Sequence, residues 1–176
     1  PDFADGDTGW NLEPAKSGSI TPGYMEGFSW LQGRYPRTQQ GDRFLRMTRD
    51  ASGPNRIRQI VKNLDAKRLY SFKMISTDVK HLDREQNLVL SVELGNVEIR
   101  EDMTFQHVYP SCSAHELAPY NWAHPAYLNC HRLVFRPKEE TSELVISDWA
   151  TPTNPGGPTG QTIGINFIEI QPYFEP

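Results

Sequence analysis

Residues 107–131 hold most of the side chains that could do chemistry. The stretch reads HVYPSCSAHELAPYNWAHPAYLNCH and contains both cysteines and four of the five histidines of the protein. Its three prolines, Pro110, Pro119 and Pro125, disfavour a long helix or a continuous central strand. Long irregular loops inside a compact domain are usually functional or disordered, and this one is too aromatic to be disordered. The sequence therefore predicts an irregular functional loop over residues 107–131.

Aromatic and polar residues within this loop are suited to carbohydrate binding. A pyranose stacks its C–H face on Trp or Tyr, while its hydroxyl groups bond to planar polar side chains. The predicted ligand-binding residues are Tyr120, Asn121, Trp122 and His124 in the loop, and Trp30, Arg34 and Tyr35 in an earlier turn-rich segment. The alternative is that these aromatics cap the apolar core under long loops, where satellite clusters are common.

The two cysteines, Cys112 and Cys130, lie near opposite ends of the loop. Two interpretations are open: a disulfide that staples the base of the loop, or two unpaired and mostly buried thiols. A disulfide would add roughly 3 kcal/mol of stability in the loop-closure description. A transition-metal site is a third hypothesis, although the spacing of its ligands matches no usual zinc pattern. Those ligands would be His107, Cys112, His115, His124, Cys130 and His131.

Signatures of catalysis are missing from the sequence. It contains no G-x-S-x-G, no H-E-x-x-H and no phosphate-binding loop. A carboxylate pair that acts on a glycosidic bond, such as Glu93 with Glu98, is compatible with the sequence, but nothing in the sequence favours it. We therefore expect a protein that is not an enzyme.

Length and charge limit the classes of protein to which the chain can belong. Its 176 residues suit a single domain, residues 1–176, with a sizeable core. The net charge of −4 argues against a nucleic-acid partner, and no apolar run is long enough to span a membrane. Because the chain has no initiator Met and no signal-peptide pattern, we interpret it as a mature protein or a domain excised from a larger one.

Alternating apolar residues at regular intervals predict a fold made of short strands. Residues 69–76, for example, place Tyr70, Phe72 and Met74 on one face. Frequent Gly and Pro separate about eight or nine such runs, which is typical of a β-sandwich or jelly roll. We predict an all-β jelly-roll sandwich of two antiparallel sheets.

Several local predictions accompany this fold. Residues 25–31 are expected to form a short strand. Residues 87–94 and 97–100 are expected to pair as a hairpin around Gly95-Asn96. The last strand, residues 163–174, carries Pro172, which suits an edge position.

The order of these patterns resembles that of galactose-binding-like β-sandwich modules. Phe3-Ala4-Asp5-Gly6 with Trp10 is similar to their opening segment, and Gly41-Asp42-Arg43-Phe44-Leu45-Arg46-Met47 to their next strand. Arg58-Gln59-Ile60-Val61 with Tyr70-Ser71-Phe72 resembles a later strand pair. Trp122 to Phe135 with Leu144-Val145-Ile146, and then Gly164 to Ile170, resemble the closing strands.

The resemblance implies a function and a context. Such modules commonly bind carbohydrate without catalysing a reaction, and are appended to secreted enzymes that degrade polysaccharides. It therefore implies a carbohydrate partner, an adjoining catalytic domain in the parent chain and an extracellular or periplasmic location. The alternative is a structural or protein-interaction domain of an extracellular protein. A small glycan-active hydrolase or lyase is less favoured.

A structural calcium ion is also implied by the resemblance, and no organic cofactor is expected. Asp2, Asp5 and Asp7 bring hard oxygen ligands close together, as calcium requires. In the family the ion lies between the first loop and the last strand, which selects Asp5 and Asn166 as its side-chain ligands. Ala4 stands where the family often has Glu, and a solvated acidic N-terminus is the alternative.

Overall fold

The structure is a computed structural model that describes Phe3 and residues 7–31, 41–110 and 126–174. Within these residues no helix is long and apolar enough to cross a membrane. The described elements, in chain order, are β1 (Asn11–Glu13), β2 (Ile20–Tyr24), α1 (Phe28–Leu31), β3 (Arg43–Thr48), β4 (Arg56–Val61), β5 (Leu69–Asp78), β6 (Ser91–Leu94), β7 (Val97–Ile99), a 3₁₀ turn (Glu101–Met103), β8 (Phe105–Pro110), β9 (Tyr127–Pro137), β10 (Ser142–Ser147) and β11 (Thr162–Tyr173).

These strands form two antiparallel sheets packed face to face. The four-stranded sheet has the order β1-β4-β10-β6, and the seven-stranded sheet runs β2-β3-β11-β5-β9. The remaining two strands, β7 and β8, both pair with the other side of β9, at opposite ends of that strand. The predicted all-β sandwich of two antiparallel sheets is confirmed.

The core between the sheets follows the alternation of the sequence. Tyr70, Phe72 and Met74 of β5 are buried in one cluster with Leu144 and Ile146 of β10. Successive side chains of a strand point to opposite faces, so each of these strands contributes every second residue. The apolar face predicted for β5 is confirmed.

The irregular loop is shorter than the sequence predicts. Its first residues belong to β8, and its last residues belong to β9. The two strands pair in register, with His107 opposite Cys130 and Pro110 opposite Tyr127. Pro110 is tolerated because it is the last residue of β8, where no further ladder bond has to be made. Residues 111–125, which include Pro119 and Pro125, lie outside the described residues.

The predicted hairpin around Gly95-Asn96 is wrong. Strand β6 pairs with β10 in the four-stranded sheet, whereas β7 pairs with β9 in the seven-stranded sheet. Asn96 has a φ of 53°, and the Gly95 amide donates to the Glu143 carbonyl, so this turn carries the chain from one sheet to the other. Local turn residues announce a reversal of the chain, but not which sheet receives the next strand.

The edge position predicted for the last strand is also wrong. Strand β11 lies between β3 and β5 in the middle of the seven-stranded sheet. However, β3 pairs only with residues 162–165, whereas β5 follows β11 as far as Tyr173. Pro172 lies beyond the end of β3, so a missing N–H on that side costs no ladder bond.

A second, smaller apolar cluster covers part of the outer face of the seven-stranded sheet. It contains Phe28, Phe44, Ala126 and Leu128. The strand predicted over residues 25–31 is wrong, because Phe28 starts the helical turn α1 and packs its ring 5.1 Å from that of Phe44. The Phe44 ring lies over Gly23, where any side chain would collide with it, and also lies close to Gly164, where a side chain would collide with Val79.

A buried polar network holds the loops at one end of the sandwich. The Asn55 side chain donates to Asp148 and to the Thr48 carbonyl, and accepts from Ser19 and from the Ala15 amide. Asn55 and Asp148 are both fully buried. The network joins the β1–β2, β3–β4 and β10–β11 connections. The next loop along, residues 79–90, is held through its Val89 carbonyl by buried Arg49.

Candidate functional site

Most of the predicted ligand-binding residues lie outside the described residues. This applies to Tyr120, Asn121, Trp122 and His124 of the loop, to Arg34 and Tyr35, and to Asp5 and Cys112. Trp30 belongs to α1, but its side chain is likewise outside what the structure describes. Their roles in binding stay predictions.

Described residues that flank the two predicted segments lie close to each other. Phe28 of α1, which precedes residues 32–40, shares the smaller apolar cluster with Ala126, which follows residues 111–125. The Tyr127 amide donates to the Leu82 carbonyl at 2.8 Å at the start of β9. Phe28 and Ala126 therefore meet on the outer face of the seven-stranded sheet, although they are far apart in sequence.

The rest of that outer face carries a set of side chains that we call the aromatic face: Phe105, His107, Arg132 and Tyr173. Phe105 is paired with Arg132 across β8 and β9, so both point to the same side of the sheet. Tyr173 reaches the same place from the end of β11. The inward residues of β9, Leu133 and Phe135, pack in the core. The alternation that buries those two residues thus forces Arg132 outward.

Arg132 is the centre of the aromatic face. Its guanidinium carbon lies 5.6 Å from the centroid of the Phe105 ring and 5.1 Å from that of the Tyr173 ring. The His107 ring is 5.2 Å from the Phe105 ring. A cation over an aromatic ring is attracted by the quadrupole of the ring, and the contact holds both groups in place. Phe105 nevertheless stays 42% exposed, which leaves ring surface available to a ligand.

Polar side chains lie beside these rings. Lys73 of β5, paired with Arg132 in the ladder, forms an ion pair with Glu169 at 3.3 Å. Gln171 donates to the same Glu169 carboxylate at 3.3 Å. Amide, carboxylate and ammonium groups next to exposed aromatic surface are the combination that a sugar ring and its hydroxyl groups require.

Cys130 also points outward, between the cations of this face. Burial raises the pKa of the Cys130 thiol, while the charges of Lys73 and Arg132 act in the opposite direction. Cys130 is a free thiol in the structure. Because Cys112 lies outside the described residues, a bridge between the two cysteines stays a prediction.

His131 points to the other side of the sheet from His107 and Cys130, the two other candidate metal ligands that the structure describes. It points into the sandwich, where its Nε2 lies 2.7 Å from the Ser76 hydroxyl, whereas the neighbouring Cys130 points outward. Burial lowers the pKa of His131 to about 4. Among the described residues no group of three His, Cys, Asp or Glu side chains could hold a metal ion. His131 therefore acts as a neutral, buried imidazole.

A polar pocket of about 270 Å³ lies at the loop end of the sandwich. Lys80, His81 and Arg84 line one wall, and residues 158–162 line the other. Asp78 at its base is buried and accepts hydrogen bonds from Gln86 and Gln161, both at 3.2 Å. The pocket borders the turn that contains Leu82, and so lies close to the point where the 111–125 segment rejoins the sheet.

A cavity of about 300 Å³ on the opposite edge of the sheet is slightly larger. Its lining is mostly aromatic or aliphatic and includes Phe3, Tyr24 and Phe44. Arg43 is the single charged residue among those of its lining residues that the structure describes. The described lining offers few polar groups to bind sugar hydroxyls, so we do not favour this cavity as a sugar site.

The predicted calcium ligand Asn166 is fully buried at a bulge of β11. Its side-chain nitrogen donates to the carbonyl oxygens of Gly41 and Arg43, and its oxygen accepts from the Phe167 amide at 2.7 Å. In this arrangement the amide nitrogen, and not a cation, links the two carbonyls. The described residues therefore do not fit a calcium ion. The pairing of Asn166 with Asp5 stays a prediction.

Asn166→Asp tests whether residue 166 acts as a hydrogen-bond donor to the two carbonyls or as a calcium ligand. A carboxylate cannot donate to the two carbonyls, so we expect a loss of about 1–3 kcal/mol of unfolding free energy in EDTA. Urea denaturation measures this loss. Asn154→Asp is the control, because its exposed side-chain oxygen only accepts from Gly156 and a carboxylate does the same. Added calcium would restore the Asn166→Asp protein only if residue 166 and Asp5 hold the ion.

The carboxylate pair Glu93 and Glu98 cannot act together. Glu93 is opposite Val145 in the four-stranded sheet, and its neighbours Val92 and Leu94 pack towards the core. Glu98 is opposite Arg136 in the seven-stranded sheet, between the core-facing residues Val97 and Ile99. The two carboxylates point away from each other on opposite outer faces, so they cannot flank one glycosidic bond.

Sequence reasoning misses the aromatic face. One local signal exists: Phe105, His107 and Tyr109 place an aromatic or imidazole ring at every second position, which is typical of a strand with one aromatic side. The predicted irregular loop conceals this signal, because it begins at His107. Arg132 and Tyr173 join Phe105 only through the pairing of β8, β9, β5 and β11.

Comparisons with known proteins give a structural likeness but no sequence match. No protein-family model and no curated protein matches the chain. A solved structure of TmCBM61 in complex with β-1,4-galactotriose matches 98% of this chain and 95% of that chain. The sequence identity is 9% and the TM-score is 0.46. Because both values are low, the ligand of the present chain has to be argued from its own residues.

Proposed function

We propose that the chain is a non-catalytic domain that binds an oligosaccharide or polysaccharide on the aromatic face. The observation that carries the proposal is the position of the Arg132 guanidinium over the rings of Phe105 and Tyr173, on the outer face of the sheet. This arrangement holds an exposed ring in a fixed orientation before any ligand arrives. A ligand then loses less free energy to the ordering of side chains.

The chemistry of this face suits a sugar. The C–H face of a pyranose would pack on the exposed part of Phe105, and hydroxyl groups of a neighbouring sugar in the chain would reach Glu169 and Gln171 on β11, across β9 and β5. Binding would be weak, because each hydroxyl exchanges hydrogen bonds with water for hydrogen bonds with the protein at little net gain. The stacked ring would supply much of the affinity.

The loop aromatics belong to the same proposal. Trp122 and Tyr120, with Asn121 and His124, are proposed to extend the binding surface beyond β8, because residues 111–125 connect the paired ends of β8 and β9. Trp30, Arg34 and Tyr35 are proposed to do so from the segment that follows Phe28.

Phe105→Ala is expected to weaken polysaccharide binding about five- to tenfold, since the stacking surface is lost. Affinity electrophoresis over a panel of neutral and acidic polysaccharides would select a ligand, and isothermal titration would measure Kd. Tyr24→Ala is the matched control, because Tyr24 is 57% exposed on β2, at the opposite edge of the same sheet. Its Kd should equal that of the unchanged protein.

Other outcomes of this experiment separate the parts of the proposal. If Trp122→Ala or Trp30→Ala abolishes binding while Phe105→Ala has no effect, the loops alone bind the sugar and the aromatic face does not. Retention of no polysaccharide in the panel would contradict carbohydrate binding altogether. Release of sugar product by the isolated chain would contradict the non-catalytic part.

The proposal includes a biological context. A weakly binding domain is useful when it is attached to a catalytic domain, because attachment raises the local concentration of enzyme at an insoluble substrate. We therefore propose an adjoining catalytic domain in the parent chain and an extracellular or periplasmic location, as the family resemblance implies.

A further inference from the structure

We propose that the aromatic face selects acidic polysaccharides, and that Arg132 binds the carboxylate of a uronic acid residue. This inference rests on the proposed function and adds the substrate class. The face combines aromatic surface with a cation that has no acidic partner among the described residues, and the ligand must satisfy both.

Arg132 has no ion-pair or hydrogen-bond partner within the described part of the chain. None of the ion pairs there includes Arg132, and its Nε–H is buried without an acceptor. Two other half-buried arginines differ in this respect: Arg100, just after β7, is paired with Asp102, and Arg58 of the four-stranded sheet is paired with Glu13 and Glu143. A guanidinium fixed by two rings but left without an anion has unused binding capacity.

Two cations, Arg132 and Lys73, lie side by side on this face. Lys73 is the neighbour of Arg132 in the ladder on β5. The thiol of Cys130 lies within the fields of both cations. Lys73 is already paired with Glu169, which also accepts from Gln171. Among the described residues the charge of Arg132 is therefore left unbalanced, which favours an anionic ligand.

The shape of the guanidinium favours a carboxylate over other anions. Its N–H donors lie in one plane as a fork, and a planar carboxylate matches two of them at once. The rings of Phe105 and Tyr173 hold the guanidinium carbon from the aromatic side. A uronic acid residue supplies both parts of the required ligand, since its C–H face stacks on a ring and its carboxylate meets the fork.

The experiment compares polygalacturonate with the same polymer after reduction of its carboxyl groups, and uses sulfated dextran as a charged but non-planar anion. Titrations at low salt are expected to show about tenfold tighter binding of polygalacturonate than of the reduced polymer. Arg132→Gln should abolish this preference. Arg132→Lys, which keeps the charge but loses the fork, should lose most of it.

Arg46→Gln is the matched control. Arg46 is exposed on β3 of the same sheet and donates to Thr21, so its change should leave the preference intact. Melting temperatures of the three variants within a few degrees of the unchanged protein would show that each is folded.

Each other outcome overturns the inference in a recognisable way. If the two polymers bound equally, the carbohydrate function would stand and the acidic preference would be rejected. The same holds if the protein binds a neutral polysaccharide more tightly than polygalacturonate and Phe105→Ala abolishes that binding. If sulfated dextran bound as tightly as polygalacturonate, the preference would reflect general charge attraction and not recognition of a carboxylate. Absence of binding to every polysaccharide would reject the proposed function together with the inference.

Discussion

Replacing Asn55 with alanine is expected to lower the unfolding free energy by about 2–4 kcal/mol, because the buried Asp148 carboxylate keeps only the bond from the residue-55 backbone amide, while the Ser19 hydroxyl and the Ala15 amide lose their acceptor. The Asn55 side chain bonds to Asp148 at 2.6 Å and to the Thr48 carbonyl at 2.8 Å. It also accepts from the Ser19 hydroxyl and the Ala15 amide. No water can replace these bonds without entering a fully buried site.

Urea denaturation of Asn55→Ala measures this loss. Asn87→Ala is the control, because Asn87 is exposed in the loop before β6 and its truncation should cost less than about 0.5 kcal/mol. A loss below about 1 kcal/mol for Asn55→Ala would mean that Asp148 does not need this partner. Because the network joins three loop connections, a large loss should come with earlier proteolysis in those loops.

Acidification is expected to destabilise the protein through His131. Burial holds the pKa of His131 at about 4, below its usual value of 6.5. Between these values the unfolded chain binds a proton that the folded protein excludes, so stability that is complete above pH 6.5 is lost as the pH falls towards 4. At 1.36 kcal/mol per pKa unit, the loss contributed by this residue is about 3 kcal/mol.

The test compares unfolding free energies at pH 7 and pH 4.5 for the unchanged protein and for His131→Gln. Glutamine does not titrate and can still bond to the Ser76 hydroxyl, so its protein should lose less stability on acidification. Burial raises the pKa of Asp148, and that residue therefore opposes the effect as the pH falls. Both proteins share this contribution, which cancels in the difference. Equal pH dependence of the two proteins would show that His131 is not kept neutral by the fold.

Both predictions concern residues whose role depends on the packing of the sandwich. Asn55 is an ordinary turn asparagine in the sequence, and His131 is one of several histidines in a predicted metal set. Their burial comes from the contact between the two sheets. The aromatic face has the same origin on the outer side, since burial of Leu133 and Phe135 turns Arg132 towards Phe105 and Tyr173.

The sequence by itself determined the strand class and the apolar face of each regular strand. Tyr70, Phe72 and Met74 are buried together as their spacing predicts. The strand prediction succeeds because the two-residue period of a strand is a local property. Burial of one face makes every second residue apolar, and this pattern is visible in consecutive positions.

Only the tertiary structure decided which strands are neighbours and which outward residues meet. The separation of β6 from β7, the central position of β11 and the cation between Phe105 and Tyr173 all depend on pairings between distant parts of the chain. A strand pattern states which face is buried, but it carries no information on the partner strand. The residues that we propose to bind sugar are therefore assembled by sheet order, and their spacing in the sequence does not reveal them.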